Sequence, residues 1–178
     1  MSNFDIATCH FETNRLCVAP WAPMLTEKNW TRLKAMLETL LTPAVLAHLP
    51  PPMQLGSETS ALDLWIKERD QESNVLYIED RNTDTFIGLL ILAIFPDETN
   101  RLTIRLGYFL VEETWGKGLA TELVRGFVNW CHAQQCDIQL LGGVETGNPA
   151  SALVLKKAGF QLDLAMSSSE TEIYQLNL

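Results

Sequence analysis

The sequence lacks a long hydrophobic run. Its longest apolar stretch reaches from Phe86 to Phe95 and is interrupted by Gly88, about half of the ~20 residues that a bilayer span needs. A membrane-spanning chain is therefore not expected. Near Met1 no basic stretch leads into an apolar segment, so an export leader is not expected and a cytoplasmic location is. Positive charge is scarce: 13 Lys and Arg stand against 22 Asp and Glu, a formal net charge of −9. Nucleic-acid binding needs local positive potential to displace counterions, and an acidic surface opposes it. The acidity serves solubility first, and it suits cationic partners such as amines or basic peptides. Cysteines are few, at positions 9, 17, 131 and 136. Cys131, His132 and Cys136 lie in a helical pattern that does not bring all three to one face, and structural zinc sites use four ligands in C-x2-4-C spacing. No metal is expected, and the thiols are expected to be reduced. Repeats, low-complexity tracts and linkers are missing too. With 47% hydrophobic residues, residues 1–178 read as a single domain with a real core.

The apolar spacing gives an order of elements. Arg15 to Ala19 alternates as a short strand does, ended by Pro20 and Pro23. Glu27 to Leu41 carries Trp30, Leu33, Leu37 and Leu40 at helical spacing, with Thr26 as its expected cap. Thr42 to Gly56 is a proline-stiffened loop that Ala44–Leu49 interrupts with a helical turn, a form often found at a binding rim. A second helix is expected from about Ser57 to Glu72. Val75–Glu79 and Phe86–Phe95 form a hairpin, and Leu102–Val111 follows a turn over Pro96–Asn100. A helix from about Gly118 to Gln135 leads to a strand at Ile138–Val144, which suggests a right-handed parallel crossover. Ala150–Ala158 is a short helix closed by Gly159, and Phe160–Leu164 pairs with Glu172–Leu178. The fold class is α/β in the mixed α+β sense: antiparallel strands first, then one parallel unit.

Chemistry concentrates at the strand-to-helix junction Thr114-Trp115-Gly116-Lys117-Gly118-Leu119-Ala120-Thr121. Two glycines permit a tight turn and a close backbone approach to a ligand. The free N–H groups of the first helical turn, with the helix dipole, make an anion site whose usual occupant is a pyrophosphate. Lys117 could add a point charge, and a plain joining turn fits the glycines equally well. The dinucleotide pattern G-x-G-x-x-G fails because Thr121 stands where glycine is needed, and the P-loop pattern is absent.

These residues resemble the GCN5-related N-acetyltransferase superfamily. Its acetyl-CoA signature Q/R-x-x-G-x-G/A is filled by Trp115-Gly116-Lys117-Gly118-Leu119-Ala120, with Trp115 in place of Gln or Arg. Gly107-Tyr108-Phe109-Leu110 before it, Thr121-Glu122 after it, Thr13-Asn14-Arg15-Leu16, Pro20-Trp21 and Ile87-Gly88 look like the branch that acetylates ribosomal-protein N-termini. Asn148-Pro149-Ala150-Ser151 through Lys156-Lys157-Ala158-Gly159-Phe160 resembles that branch's closing string. The likeness covers roughly residues 13 to 165.

The resemblance implies a mostly antiparallel mixed sheet, helices on both faces, and a parallel strand pair splayed at the acetyl-CoA site. It also implies that main-chain groups of Phe109, Leu110 and Val111 pair with the pantetheine arm as an added strand does. An N–H there would hold the developing oxyanion. The loop Trp115, Gly116, Lys117, Gly118, Leu119, Ala120 and Thr121 takes the pyrophosphate, and Asn148 reaches the arm from the other side. Ser151 stands where some members protonate the departing thiolate; capping its own helix is the other role open to it. Lys156 and Lys157 favour the CoA phosphates or only the helix dipole. Many relatives carry Glu on the central strand where this chain has Arg105, so the base is open. Glu145 is the expected replacement, with Glu79 and Asp163 behind it. The implied function is acetyl transfer from acetyl-CoA to a protein N-terminal amine or to a small polyamine, amino acid or drug-like amine. The acidity left over favours a cationic acceptor. A non-catalytic acyl-CoA-binding module and a domain holding another phosphate remain alternatives, and both monomer and homodimer are open.

Overall fold

The computed structural model describes residues 4–96 and 101–178; beyond Pro96, the turn expected over Pro96–Asn100 falls outside them. Eight strands form one sheet: β1 (Phe11–Glu12), β2 (Leu16–Pro20), β3 (Asn74–Asp80), β4 (Phe86–Pro96), β5 (Leu102–Leu110), β6 (Ile138–Glu145), β7 (Gln161–Asp163) and β8 (Thr171–Asn177). Their spatial order is β1-β2-β3-β4-β5-β6-β8-β7. All neighbours are antiparallel except β5 and β6, which run parallel from Leu102↔Ile138 to Leu106↔Gly142. Among the described residues the α-helices are α1 (Glu27–Leu40), α2 (Pro43–Leu46), α3 (Ala61–Glu72), α4 (Leu119–Ala133) and α5 (Pro149–Lys157). None of the described helices is long and apolar enough to cross a membrane.

β4 lies in the middle of the sheet and is covered on both sides, which is why its sequence is apolar throughout instead of alternating. One face packs Leu89 and Ile91 with Val75 and Phe109 against Leu33, Leu37 and Leu40 of α1 and Leu62, Trp65 and Ile66 of α3. The other packs Leu90 and Leu92 with Ile104 and Leu106 against Leu123, Phe127 and Cys131 of α4 and Leu155 of α5. Each fully buried leucine contributes about 2 kcal/mol by leaving water. Gly88 is required by a close approach, since a Cβ there would stand 2.2 Å from the Phe109 carbonyl oxygen.

Two local expectations change. Thr26 occupies the N-cap position of α1 with extended backbone, but its hydroxyl makes no capping bond. The helix end is tied instead by the Asn29 amide group donating to the Pro23 carbonyl (3.0 Å). The short edge strand β1 was not expected, because two residues are too few to show an alternation; Phe11 seats it against Phe127 of α4, ring centres 6.4 Å apart.

Candidate functional site

The site begins where the parallel pair stops. After Leu106↔Gly142 the two strands part: β5 continues along β4 as far as Leu110↔Gly88, and β6 continues along β8 as far as Glu145↔Thr171. Hydrogen bonding alternates along a strand. The Leu102 N–H bonds the Asp137 carbonyl on the β6 side, whereas the Val111 N–H bonds Ile87 on the β4 side. Even-numbered residues of β5 therefore turn their main-chain groups toward β6, and odd-numbered ones toward β4. Past the parting, the main chain of Tyr108 and Leu110 faces the opening. This corrects the expected trio, because the Val111 N–H is already used and Phe109 points its carbonyl at Gly88. The Leu110 carbonyl is taken by the Trp115 indole N–H (2.8 Å), so Trp115 fixes the base of the glycine loop.

The loop holds Gly116 at φ 72° and Gly118 at φ 77°, a left-handed conformation that L side chains resist. A Cβ at Gly116 would meet nothing within 4 Å, so that face of the loop is open to a ligand. Gly118 is the N-cap of α4 and supplies no side-chain cap. The first return bond of the helix is Glu122 N–H to the Gly118 carbonyl (3.1 Å). The amides of Leu119, Ala120 and Thr121 thus remain free of helix bonds, in the arrangement that binds anions.

The loop is clamped from outside. Glu122 accepts hydrogen bonds from the Thr13 hydroxyl (2.6 Å), the Arg15 N–H (2.8 Å) and Arg15 Nε (2.7 Å), while Arg15 Nη1 donates to the Lys117 carbonyl (2.9 Å). Burial works against ionisation of Glu122, but these bonds outweigh it and hold its carboxyl below the usual range. Two strings quoted from distant parts of the sequence, Thr13-Asn14-Arg15 and Thr121-Glu122, are one cluster.

Across the opening, Asn148 caps α5: its Oδ1 accepts the Ser151 N–H (3.1 Å). Asn148 does the capping, so Ser151 is relieved of the cap role and its side chain lines the cavity. Facing it is Tyr108, which sequence reasoning passed over as part of a family string. Its hydroxyl oxygen is buried without hydrogen-bond geometry to any partner among the described residues, and Ser151 is the side chain that it interacts with. Burial pushes the Tyr108 hydroxyl above its ordinary range, partly offset by that neighbour. A buried, unpartnered hydroxyl is costly in itself, so this one has room for a further partner in the cavity.

A single cavity of about 960 Å³ joins these parts. Of the expected residues it is lined by Phe109, Leu110, Trp115, Gly116, Gly118, Leu119, Ala120, Thr121, Glu145, Asn148 and Ser151. Val111, Lys117 and Lys156 are not among its walls. Lys156 lies over the Tyr174 ring, 5.6 Å from its centre, and Lys157 lines the cavity in its place. Glu79 pairs with Arg32 at 3.7 Å, and Asp163 accepts the turn N–H groups of Ala165 and Met166. Neither reaches the cavity. Its far half is walled by His48, Leu49, Pro50, Pro52 and Met53 of the proline loop, by Arg69, Glu72 and Ser73 at the end of α3, and by Arg105 on β5. Prolines offer no N–H to hold such a loop. Side chains hold it instead: Arg69 Nη1 donates to the Pro52 carbonyl (2.9 Å) and the Trp65 indole to that of Met53 (2.9 Å).

A splayed parallel pair beside an uncapped glycine-turn helix defines the class of domain. The family model for the acetyltransferase (GNAT) domain matches residues 24–161, and the chain belongs to that family. A comparison with curated protein sequences finds no match. Among solved structures, the chain is similar to RimL, a ribosomal L7/L12 alpha-N-protein acetyltransferase in complex with coenzyme A. That match has 14% identity, 94% of this chain and 97% of the other covered, and a TM-score of 0.67. The microcin C7 self immunity acetyltransferase MccE, in complex with acetyl-CoA and AMP, is 15% identical, with 98% and 100% covered and a TM-score of 0.67. The ribosomal-protein-S5-alanine acetyltransferase from Vibrio fischeri is 16% identical, with 94% and 96% covered and a TM-score of 0.66. At such identities the likeness is one of fold.

Proposed function

We propose that this chain transfers the acetyl group of acetyl-CoA to a primary amine by direct attack, with no acyl-enzyme. The observation that carries the reading is the meeting of three features in one cavity: the Tyr108 main chain and the Leu110 N–H turned toward the opening, free amides opening α4, and the neighbouring Ser151 and Tyr108 hydroxyls. The cavity fits acetyl-CoA: the side of Gly116 is open, and directed N–H groups offset the net charge of −9 toward a polyanion. Leu119, Ala120 and Thr121 would hold the pyrophosphate, while Tyr108 and Leu110 would pair with the pantetheine arm as β4 pairs with the other side of β5. Acetyl-CoA supplies the activated thioester.

Around it the chain's groups divide the work. A main-chain N–H of β5 polarises the thioester carbonyl. The Asn148 amide nitrogen, left free because its oxygen caps α5, donates to the arm. As the C–N bond forms and the C–S bond breaks, Glu145 takes the proton leaving the amine, and Ser151 gives one to the departing thiolate with Tyr108 beside it. The reading requires no metal. A protein N-terminus and a small-molecule amine both remain acceptors. The test is release of free CoA from acetyl-CoA across a panel of amines and peptides with free N-termini, with the acetylated product identified by mass. Amine-dependent release establishes the activity. Binding of CoA without release for any amine would instead favour the acyl-CoA-binding module, a reading that Arg105 supports by leaving the usual acidic position without a base.

A further inference from the structure

We infer that the acceptor half of the cavity contains an anion subsite at Arg105, so that the amine acetylated here carries a carboxylate or phosphate several bonds from its nitrogen. This rests on the acetyl-transfer reading and names its substrate class. Among the described residues, the charged and titratable groups facing that half are Glu72, Arg69, His48 and Arg105. Glu72 is the acid among them, and its carboxylate is engaged by Arg69 Nη2 (2.9 Å). The Arg69 guanidinium is buried, with Nη1 and Nη2 taken by the Pro52 carbonyl and Glu72 and Nε without a hydrogen-bond partner among the described residues. His48 lies on the proline loop. Arg105, by contrast, makes no hydrogen bond or ion pair among the described residues; it is held over the Phe95 ring, 5.7 Å from its centre. In a chain of net charge −9, this half of the cavity presents an uncompensated guanidinium.

Arg105 is exposed, with Ile91, Ala93 and Phe95 beside it in the cavity wall, so an anion entering from solvent reaches the guanidinium directly and can form a charge-assisted bond with it. The guanidinium fork matches the two oxygens of a carboxylate or phosphate. Side chains on β5 alternate, so Arg105, Gly107 and Phe109 share one face of the sheet, with the parting of the strands at its far end. A Cβ at Gly107 would meet nothing within 4 Å, so the floor between cation and reacting centre is bare. Four residues of strand span about 13 Å, part of which the arginine itself covers. An acceptor lying along this floor has its anionic end at Arg105 and its amine at the opening. Under this proposal the acceptor is an amine that also carries an anion, because the acid lining this half among the described residues, Glu72, is already paired with Arg69.

The experiment compares kcat/KM for ω-amino carboxylates, their primary amides and aminoalkyl phosphates of matched length, in the wild type, Arg105→Gln and Arg105→Lys. The anionic members should be preferred over the amides by about tenfold or more. Arg105→Gln should remove most of that preference, and Arg105→Lys should retain part of it. Equal rates for acids and amides in the wild type, or an unchanged preference in Arg105→Gln, would overturn the subsite. A second readout separates it from the acetyl-transfer reading. Alkyl carboxylates and phosphates without an amine are titrated into CoA-saturated protein, and the thermal shift of wild type is compared with that of Arg105→Gln. Anion binding that depends on Arg105 upholds the subsite even where no amine is acetylated, an outcome that removes acetyl transfer alone. Absence of such binding overturns the subsite whatever the transfer assay gives.

Discussion

The two halves of the cavity are built from different materials. The half beside α4 is made of main chain: the free amides of Leu119 to Thr121, the edge groups of Tyr108 and Leu110, and two glycines in left-handed conformation. The half beside α3 is made of side chains: Arg69 and Trp65 grip a proline loop, and Arg105 and Phe95 form the floor. A main-chain site holds groups that every acceptor reaction of this fold has in common, whereas a side-chain site can be rebuilt for a different amine without disturbing the sheet. Substitutions in the first half should therefore change cosubstrate affinity or the chemical step for every amine, and those in the second should change the choice of amine.

The largest effect is expected at Gly118. Gly118→Asp forces an L side chain to φ 77°, its Cβ 3.7 Å from Arg15 Nη2, and adds a negative charge to the loop proposed to hold the pyrophosphate, so CoA affinity measured by calorimetry should fall about a hundredfold. Unchanged affinity would break the assignment of the loop. Next comes the hydroxyl pair. Ser151→Ala should lower kcat about tenfold or more while the KM for acetyl-CoA moves little, as removal of an acid used in the transition state does. Because Asn148 already caps α5, the folded state should lose little stability. Tyr108→Phe removes a buried hydroxyl without a partner, so stability should hold or rise. A kcat lowered alongside that gain would show that Tyr108 serves the reaction; an unaltered kcat would leave it a wall.

On the other side, Arg69→Met frees the Pro52 carbonyl and leaves Glu72 without its cation. The acceptor KM should rise several-fold and Tm should fall, while CoA affinity stays within about twofold. If CoA affinity fell as far as the acceptor KM rose, the two halves would not be separable.

The same division explains what could be read before the structure. A main-chain site leaves its mark as glycines at fixed spacing, and the loop and the crossover were legible from Gly116, Gly118 and the apolar periods, whereas the parted strands were implied by the family resemblance. Which main-chain groups face the opening was not, because that depends on the hydrogen-bond phase of β5 against β4, and phase leaves no trace in residue type. Tyr108 was hidden for a related reason: its role depends on the side chain opposite, on a helix far along the chain. Lys156 and Lys157 are adjacent, so only the rotation of α5 decides that one lies over Tyr174 and the other on the cavity. In the acceptor half Arg105 could be seen as a departure, but its place over the Phe95 ring depends on the register of β4 against β5, and the proline loop across the cavity carries no repeating pattern.

The smallest expected effect tests the link between the clamp and the loop. Glu122 receives three hydrogen bonds from Thr13 and Arg15, and Arg15 in turn holds the Lys117 carbonyl. Its carboxyl ionises more readily folded than unfolded. A carboxyl depressed in this way adds stability above its unfolded pKa, about 4.3 for Glu, and loses it as pH falls through the folded value. Glu122→Gln keeps the shape and removes the charge, so at pH 7 its Tm should lie about 3 °C below that of the wild type. The gap should narrow as pH falls below about 4, where the wild-type carboxyl also becomes neutral. CoA affinity in the variant should fall only a few-fold, since the amides proposed to bind the anion are still in place but the turn before them is less firmly held. A Tm gap independent of pH would mean that the glutamate acts through packing, and the clamp would then not depend on its charge.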